Sequence, residues 1–544
     1  MHLKRFVVAI LFLSSVTFII VWQHYPTSQR LKIKNKREKS EKRPTPEETS
    51  NSQSNENQHV EQVGKRKVQN STRSRPHILF IVADDMGWHD VGYHGSEIHT
   101  PQLDKLAREG LILNRSYVHP SCSPTRSAFL SGRLPYRIGM QRRVIPFDRS
   151  YGLPLNVTTI AQQLKSAGYS THIVGKWHQG FCNVAYTPTE RGFDTHFGFY
   201  VGSEHYFTHK VSQKLKDGRM VDGFDFRNNS KVVWNMKDVY STHAFADETK
   251  RIVSQHNSGK PLFIYLPFQA VHGPLEVPRQ YLKQYGNILD RDRRVYAGMM
   301  TAMDTAIGKV IAAFKTRNFW ENTLTVFTTD NGGHNRRGAN NYPLRGIKGS
   351  VWEGGTRGAA FVHGTMLHNA GQVSNELIHD VDWYPTFMEA AGMKSIESEI
   401  DGISMWKMLS QGERSRRQEI VYRIDNTSPI GMASIRINQW KLIASGDSKI
   451  PWWLSISGDN AVVLSEKDVR EEPPRVNVAY LFDVDADPTE RINLARERRD
   501  ILEMMKARLA QLMPSYVDPL YNLHGRTTKC DPANFGGVWS PGWC

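Results

Sequence analysis

Four apolar runs in this chain of 544 residues each hand over to charged or imidazole residues at the same end, and that repetition limits the folds open to it. Pro76 to Ala83 leads into Asp84-Asp85, and Thr171 to Val174 into Gly175-Lys176-Trp177-His178. Pro261 to Leu266 precedes Ala270-Val271-His272, and Thr323 to Phe327 precedes Thr329-Asp330-Asn331. None of the runs alternates polar with apolar residues, so each predicts a strand buried on both faces. A mostly parallel sheet brings their C-terminal ends together, at the edge where open α/β sheets bind ligands. Helical stripes lie between them. Leu103, Leu106 and Ala107 follow a Thr100-Pro101 cap and stop at Gly110, and Ile160, Leu164 and Ala167 stop at Gly168. Val295, Met299, Ala306, Val310 and Phe314 give a long helix an apolar side whose methionines read as core. The predicted class is α/β, a large, mostly parallel sheet flanked by helices.

Past about residue 415 the texture changes. Met432 to Ile443 alternates as antiparallel strands do, and Leu502, Met505, Leu509 and Leu512 form an amphipathic helix. The chain therefore divides into a catalytic domain at 75–415 and a smaller C-terminal subdomain of antiparallel sheet plus helix at 416–544. At the other end, Lys4 and Arg5 precede an apolar segment from Phe6 to Trp22, so residues 1–26 read as a signal peptide or a signal anchor. Residues 27–74 are rich in Lys, Glu, Ser, Asn and Gln, too polar to offset their ordering entropy, and read as a disordered basic linker. The net charge is +16, but residues 1–75 hold fifteen Lys or Arg against six Glu, so +9 of it sits in this tail. That distribution gives no reason to expect nucleic acid as a partner; the tail reads first as a linker or stalk, with a membrane anchor at the N-terminus and membrane or polyanion attraction as the secondary functional reading. Asn70, Asn114, Asn156, Asn228 and Asn426 open glycosylation triplets, and four cysteines exclude a disulfide scaffold.

Ser121 to Arg133 contains Cys-x-Pro-x-Arg and then Ser-Gly-Arg. Pro124 suits the first helical position, which sets Cys122 just ahead of a helix N-terminus, an end that attracts anions. By itself Cys122 is as readily an inert buried thiol. Asp84, Asp85, Asp330 and Asn331 offer oxygen ligands only, the preference of a hard divalent cation, and Ca²⁺ tolerates an irregular oxygen cage better than Mg²⁺ does. Each pair alone reads as a turn; together with Cys122 they read as a metal site.

These residues resemble the signature of the sulfatase family. Gly175-Lys176-Trp177-His178, Arg191-Gly192-Phe193-Asp194, Pro343-Leu344-Arg345-Gly346 and Trp352-Glu353-Gly354-Gly355 narrow the match to the arylsulfatase B, I and J branch, from about His77 to the C-terminus. The resemblance implies an alkaline-phosphatase-like fold and a sulfuric ester hydrolase of the secretory pathway. It implies that Cys122 is oxidised to formylglycine (3-oxoalanine) by the formylglycine-generating enzyme. A thiol would be left as a thiosulfate ester with no internal escape, whereas an aldehyde hydrate has one hydroxyl to attack sulfur and another whose deprotonation expels sulfate. One Ca²⁺ would be held by Asp84, Asp85, Asp330 and Asn331 together with the converted Cys122. Arg126 and Lys176 would hold the hydrate and metal shell, Lys348 and His272 would grip the sulfate, and His178 would be the base. Three carboxylates and a sulfate monoester set four negative charges against the metal's two, so the cations Arg126, Lys176 and Lys348 are what a dry site needs. Substrates would be aryl sulfates in vitro and a sulfated saccharide such as a glycosaminoglycan in vivo.

Two departures from the branch bear on the rim. Pro146 to Pro154 lacks the cysteines seen there, and Gly349 stands where a tryptophan follows the lysine, so the sugar specificity does not transfer. With Cys122 converted, Cys182, Cys530 and Cys544 are an odd set; a Cys530–Cys544 loop leaving Cys182 free is one pairing the sequence allows, and the spacing does not choose. Two other readings compete. A phosphatase or phosphodiesterase of the same superfamily generally uses Ser or Thr with histidine-bound zinc pairs, unlike Cys122 and an oxygen-only set. A catalytically inactive glycan-binding protein is the other, although all ten expected positions are filled.

Overall fold

The computed structural model describes residues 75–394, 399–426, 432–444 and 479–544. The expected leader (1–26), the basic linker (27–74) and the Asn70 triplet lie outside the described residues. All four apolar runs are strands, spanning His77–Ala83, Ser170–Lys176, Leu262–Pro267 and Thr323–Thr329. They are parallel neighbours in the order 323–329, 77–83, 262–267, 170–176, with Thr195–Phe199 parallel beyond them. Ala83 lies opposite Thr329 in register, so Asp84 and Asp330 leave the sheet side by side. Among the described residues the sheet has ten strands and is mixed at its margins, where Phe361–His363 and Arg227–Asn228 join antiparallel.

Helices flank the sheet in two sets that pack among themselves. Pro101–Glu109 and Ser241–Gln255 contact Arg291–Thr316, while Cys122–Ser131 contacts Ile160–Ser166 and Trp383–Ala390. Phe80 ties the second set to the sheet, its ring 5.1 Å from Phe129 and 5.3 Å from Phe387. Two local expectations are corrected. The helix begins at Cys122 itself, with Pro124 third; its first four N–H groups lack intrahelical acceptors in any case, so proline is tolerated there too. Thr100 does not cap its helix with its side chain; instead Asp304, from the long helix, accepts from the Gln102 and Leu103 amides at 3.2 and 2.8 Å.

Among the described residues the C-terminal sheet is antiparallel and four-stranded, in the order 419–425, 432–437, 440–443, 480–483, and Arg499–Leu512 covers it through Leu502, Met505 and Leu509. It meets the large sheet's loops through a buried ion cluster. Lys441 lies 2.9 Å from both Glu353 and Glu490, and Tyr117, five residues before Cys122, donates to Glu353 at 2.8 Å. Beyond Val517 the chain leaves this sheet and runs back along the larger part: Leu520 donates to Gly139, Thr527 to Asp148 and Trp539 to Phe224. This path pairs Cys182 with Cys544 and leaves Cys122 and Cys530 free, which corrects the Cys530–Cys544 loop with an unpaired Cys182. Burial of Trp539 and Trp543 pulls the segment onto the larger part instead of letting it close on itself.

Asn156, Asn228 and Asn426 are exposed, whereas the Asn114 amide donates to Asn375 at 2.7 Å and accepts from Arg357 at 2.9 Å. No helix among the described residues is long and apolar enough to cross a membrane. Replacing Lys441 by Met strands two buried carboxylates, so K441M is expected to lose about 3–5 kcal/mol in urea unfolding.

Candidate active site

The level ends of the parallel strands deliver the polar residues to one place. Asp84 is bound through its backbone to Ala270 and Val271, and the Asp330 amide donates to the Ala83 carbonyl at 3.1 Å, so three strands share one hydrogen-bonded rim. Asp85 turns back with φ 61°, a left-handed conformation uncommon outside glycine. A network that sequence reasoning missed supports it. Tyr296 donates to Asp90 at 2.7 Å and lies 3.3 Å from the Asp85 carbonyl, while Arg293 reaches Asp90 at 2.5 Å. The available signal was Arg293 and Tyr296 at helical spacing on the apolar side of a long helix, where a buried polar pair needs a partner.

On this rim Asp84, Asp85, Asp330, Asn331, Cys122, Arg126, Lys176, Lys348 and His272 are linked by direct contacts. Arg126 grips Asp330 through Nε at 2.9 Å and a terminal nitrogen at 2.8 Å, and reaches Asp84 at 3.5 Å. Lys176 pairs with Asp84, and Lys348 with Asp85 at 2.6 Å. Cys122 Sγ lies 3.5 Å from Asp84, His272 Nε2 3.7 Å from Asp85, and Asn331 donates to Asp85 at 2.8 Å. His272 Nδ1 sits 2.6 Å from the Gly273 carbonyl, which assigns its proton there and leaves Nε2 facing the cluster.

His178 stands beside these nine with φ 54°, Nε2 3.3 Å from the Ile145 carbonyl and Nδ1 buried without a partner. Its ring needs Gly202: a Cβ there would lie 2.8 Å from His178 Cε1. Gln179 and Ser123, also missed in the sequence, fasten the neighbourhood, Gln179 donating to the Ser123 carbonyl at 2.9 Å and Ser123 Oγ accepting from Ile145 at 3.0 Å. Neutral polar side chains such as these carry no local signature of a partner far away in sequence.

Burial would raise the Asp84 and Asp85 carboxyls, but the facing cations, Lys176 for Asp84 and Lys348 for Asp85, hold both below the usual range. Burial pushes the Cys122 thiol far up, reinforced by Asp330 and Asp84, so it stays protonated and is no thiolate nucleophile. Desolvation and then Lys348 lower His272 to about 4, and desolvation with Lys176 and Arg126 keeps His178 neutral.

The residues fit a hard cation. Asn331 Oδ1 is buried with no donor, and ligand atoms of Asp84, Asp85, Cys122 and His272 lie within 4.8 Å of one another. Three carboxylates against Arg126, Lys176 and Lys348 make the cluster neutral by itself, and a divalent cation brings it to +2, a focus for an anion. The side chains of His272 and Lys348 keep 23% and 15% exposure while the other eight keep 5% or less, so an anion arrives on their side.

A sheet of this topology carrying this site defines a class, and comparison with known proteins names it. The Sulfatase family model matches residues 76–393. Arylsulfatase J of Mus musculus is 38% identical over 512 residues, 89% of this chain and 84% of its own, and N-acetylgalactosamine-6-sulfatase of Mus musculus is 28% identical over 86% and 91%. The solved structure of Ps i-CgsB in complex with k-i-k-neocarrahexaose superposes with a TM-score of 0.69 at 31% identity, covering 82% of this chain and 94% of that one. The chain belongs to the sulfatase family and is a sulfuric ester hydrolase.

Gly202→Ala is expected to displace the His178 ring and lower kcat on an aryl sulfate about 10- to 100-fold, with the melting temperature little changed. Equal kcat in the two proteins would remove His178 from the reaction.

Proposed function

We propose that this hydrolase acts on sulfate monoesters of a saccharide chain, with Cys122 oxidised to formylglycine and one Ca²⁺ at Asp84, Asp85, Asp330 and Asn331. The observation that carries the reading is the buried, charge-balanced cluster around a thiol that burial keeps protonated. A neutral thiol pinned beside Asp84 is a poor nucleophile, and its conversion explains why so much cationic charge surrounds it. When bound, the calcium and the aldehyde would supply charge neutralisation and a geminal-diol nucleophile.

The chain's own residues then have separable tasks. Lys348 and His272, on the open side, bind and orient the sulfate oxygens; Lys348 offers N–H donors where negative charge collects. His272, neutral and with its proton on Nδ1, is restrained by Tyr206, which donates to its carbonyl at 2.7 Å. Arg126 and Lys176, wholly buried, fix Asp84 and Asp330 and exclude water beneath residue 122. His178, neutral because it is desolvated beside two cations, is suited to take a proton from the group at position 122.

Cys122 is 1% exposed in the fold, so in this reading its oxidation by the formylglycine-generating enzyme precedes folding. The similarity to a structure solved with k-i-k-neocarrahexaose and to an N-acetylgalactosamine-6-sulfatase supports a sulfated saccharide as natural substrate. The exposed asparagines 156, 228 and 426 are the glycan acceptors of this reading.

Protein secreted from a eukaryotic host is expected to yield the tryptic peptide Ser116–Arg126 with the mass of the aldehyde, and C122A to lose turnover of p-nitrophenyl sulfate. Unmodified cysteine in folded, inactive protein would support glycan binding without catalysis. Chelation with EGTA is expected to lower the melting temperature and abolish activity, and Ca²⁺ to restore both; restoration by Zn²⁺ with turnover of phosphate monoesters would overturn the proposal.

A further inference from the structure

The segment that crosses the start of the Cys122 helix carries cations with no task in the chemistry just described. Ile145 joins this segment to the site: its amide donates to Ser123 Oγ at 3.0 Å, and its carbonyl faces His178 Nε2 at 3.3 Å. Arg143 is two residues earlier, two peptide steps of about 3.8 Å each. Its φ of 55° is left-handed, so the chain turns sharply at this point.

Three guanidinium groups gather on one ring there. Arg142, Arg143 and Arg149 lie 5.8, 5.5 and 4.0 Å from the centre of Tyr521, which the returning C-terminal segment brings alongside. Arg149 is the structural member, since its nitrogens bond the carbonyls of Tyr521 and His524. Arg143 is not. It is exposed, and of its five N–H donors one is used, on Tyr521 Oη at 3.3 Å. Among the described residues no carboxylate pairs with Arg143 or Arg149; Asp148, the nearest acid in sequence, is committed to Arg526 at 2.6 Å. The like charges of Arg143 and Arg149, held at one ring with no acid paired to either, are unfavourable unless an anion joins them. Stacking on Tyr521 restrains the guanidinium planes, so less freedom is lost when they bind.

We infer that Arg143, with Arg142 beside it, is a second anion subsite that takes a carboxylate or sulfate of a sugar next to the one being desulfated. The substrate is then a polyanionic glycan chain of several sugars, not an isolated sulfated monosaccharide. This rests on the saccharide sulfatase reading above, and it adds where the rest of the chain lies: past His178 and along 142–145 toward Tyr521. Arg143 touches neither the reacting group nor the calcium ligands, so its contribution is to binding and not to the chemical step.

Two measurements on the mature, full-length protein separate this from the reading beneath it. Titration calorimetry with a chondroitin sulfate hexasaccharide is expected to show binding that weakens with salt. R143A and the R142A/R143A double variant should bind about five- to twentyfold less tightly, with a shallower salt dependence, and R143K should keep most of the affinity. In the same preparations kcat/KM for p-nitrophenyl sulfate, too small to span both places, should stay within about twofold of the parent. Unchanged hexasaccharide affinity in the double variant would overturn the subsite, as would an equal loss on the aryl sulfate. A parent protein that bound the hexasaccharide through these arginines but left the aryl sulfate intact would sink the catalytic reading and leave the subsite standing.

Discussion

The structure depends on a neutralised knot of charge. Asp84, Asp85 and Asp330 stand at the ends of buried strands where an isolated carboxylate would cost several kcal/mol, and Arg126, Lys176 and Lys348 make that burial tolerable. The cations arrive from three different places: the helix that starts at Cys122, a neighbouring strand and the loop before Trp352. Each therefore ties its own element to the sheet edge. Because this balance is complete before any metal is counted, the divalent ion of the proposed site would give the cluster an excess of positive charge, and that excess is what a sulfate ester meets.

Around this knot the backbone is held in forms it would not choose. Asp85 and His178 both have positive φ, and each is enclosed by a dedicated set of contacts: the Asp90–Arg293–Tyr296 network for one, Gly202 and the Ile145 carbonyl for the other. Strain of this kind persists only where the surroundings over-determine it. The cost is local, and the result is that Asp85 faces Lys348 while the His178 ring sits beside Lys176 and Arg126 without pairing to either.

The C-terminal residues join this scaffold more closely than their place in the chain suggests. Lys441 links the small sheet to Glu353 and so to Tyr117 in the approach to Cys122. The segment after Val517 follows the outer edge of the site, carries Tyr521 to the three arginines, and ends bonded to Cys182, four residues past His178. The approach to Cys122 and the surroundings of His178 thus both depend on residues far away in sequence.

How much of this was legible beforehand follows from the range of the interactions. Four continuous apolar runs determined buried parallel strands, because a strand covered on both faces has no polar side to show, and the handover to Asp84, Lys176, His272 and Asp330 determined at which edge the charged side chains would gather. The Cys-x-Pro-x-Arg stretch determined a helix start to within two residues. Capping by Asp304, the Arg293 network, the arginines on Tyr521 and the Cys182–Cys544 bond were not legible, since each joins residues far apart in sequence whose types carry no local signature. The sequence by itself determined periodicity, burial and the kinds of ligand on offer, which are properties of neighbours along the chain. Only the tertiary structure decided which charges face each other and which cysteines meet, because those choices are made by packing between elements that the chain brings together last.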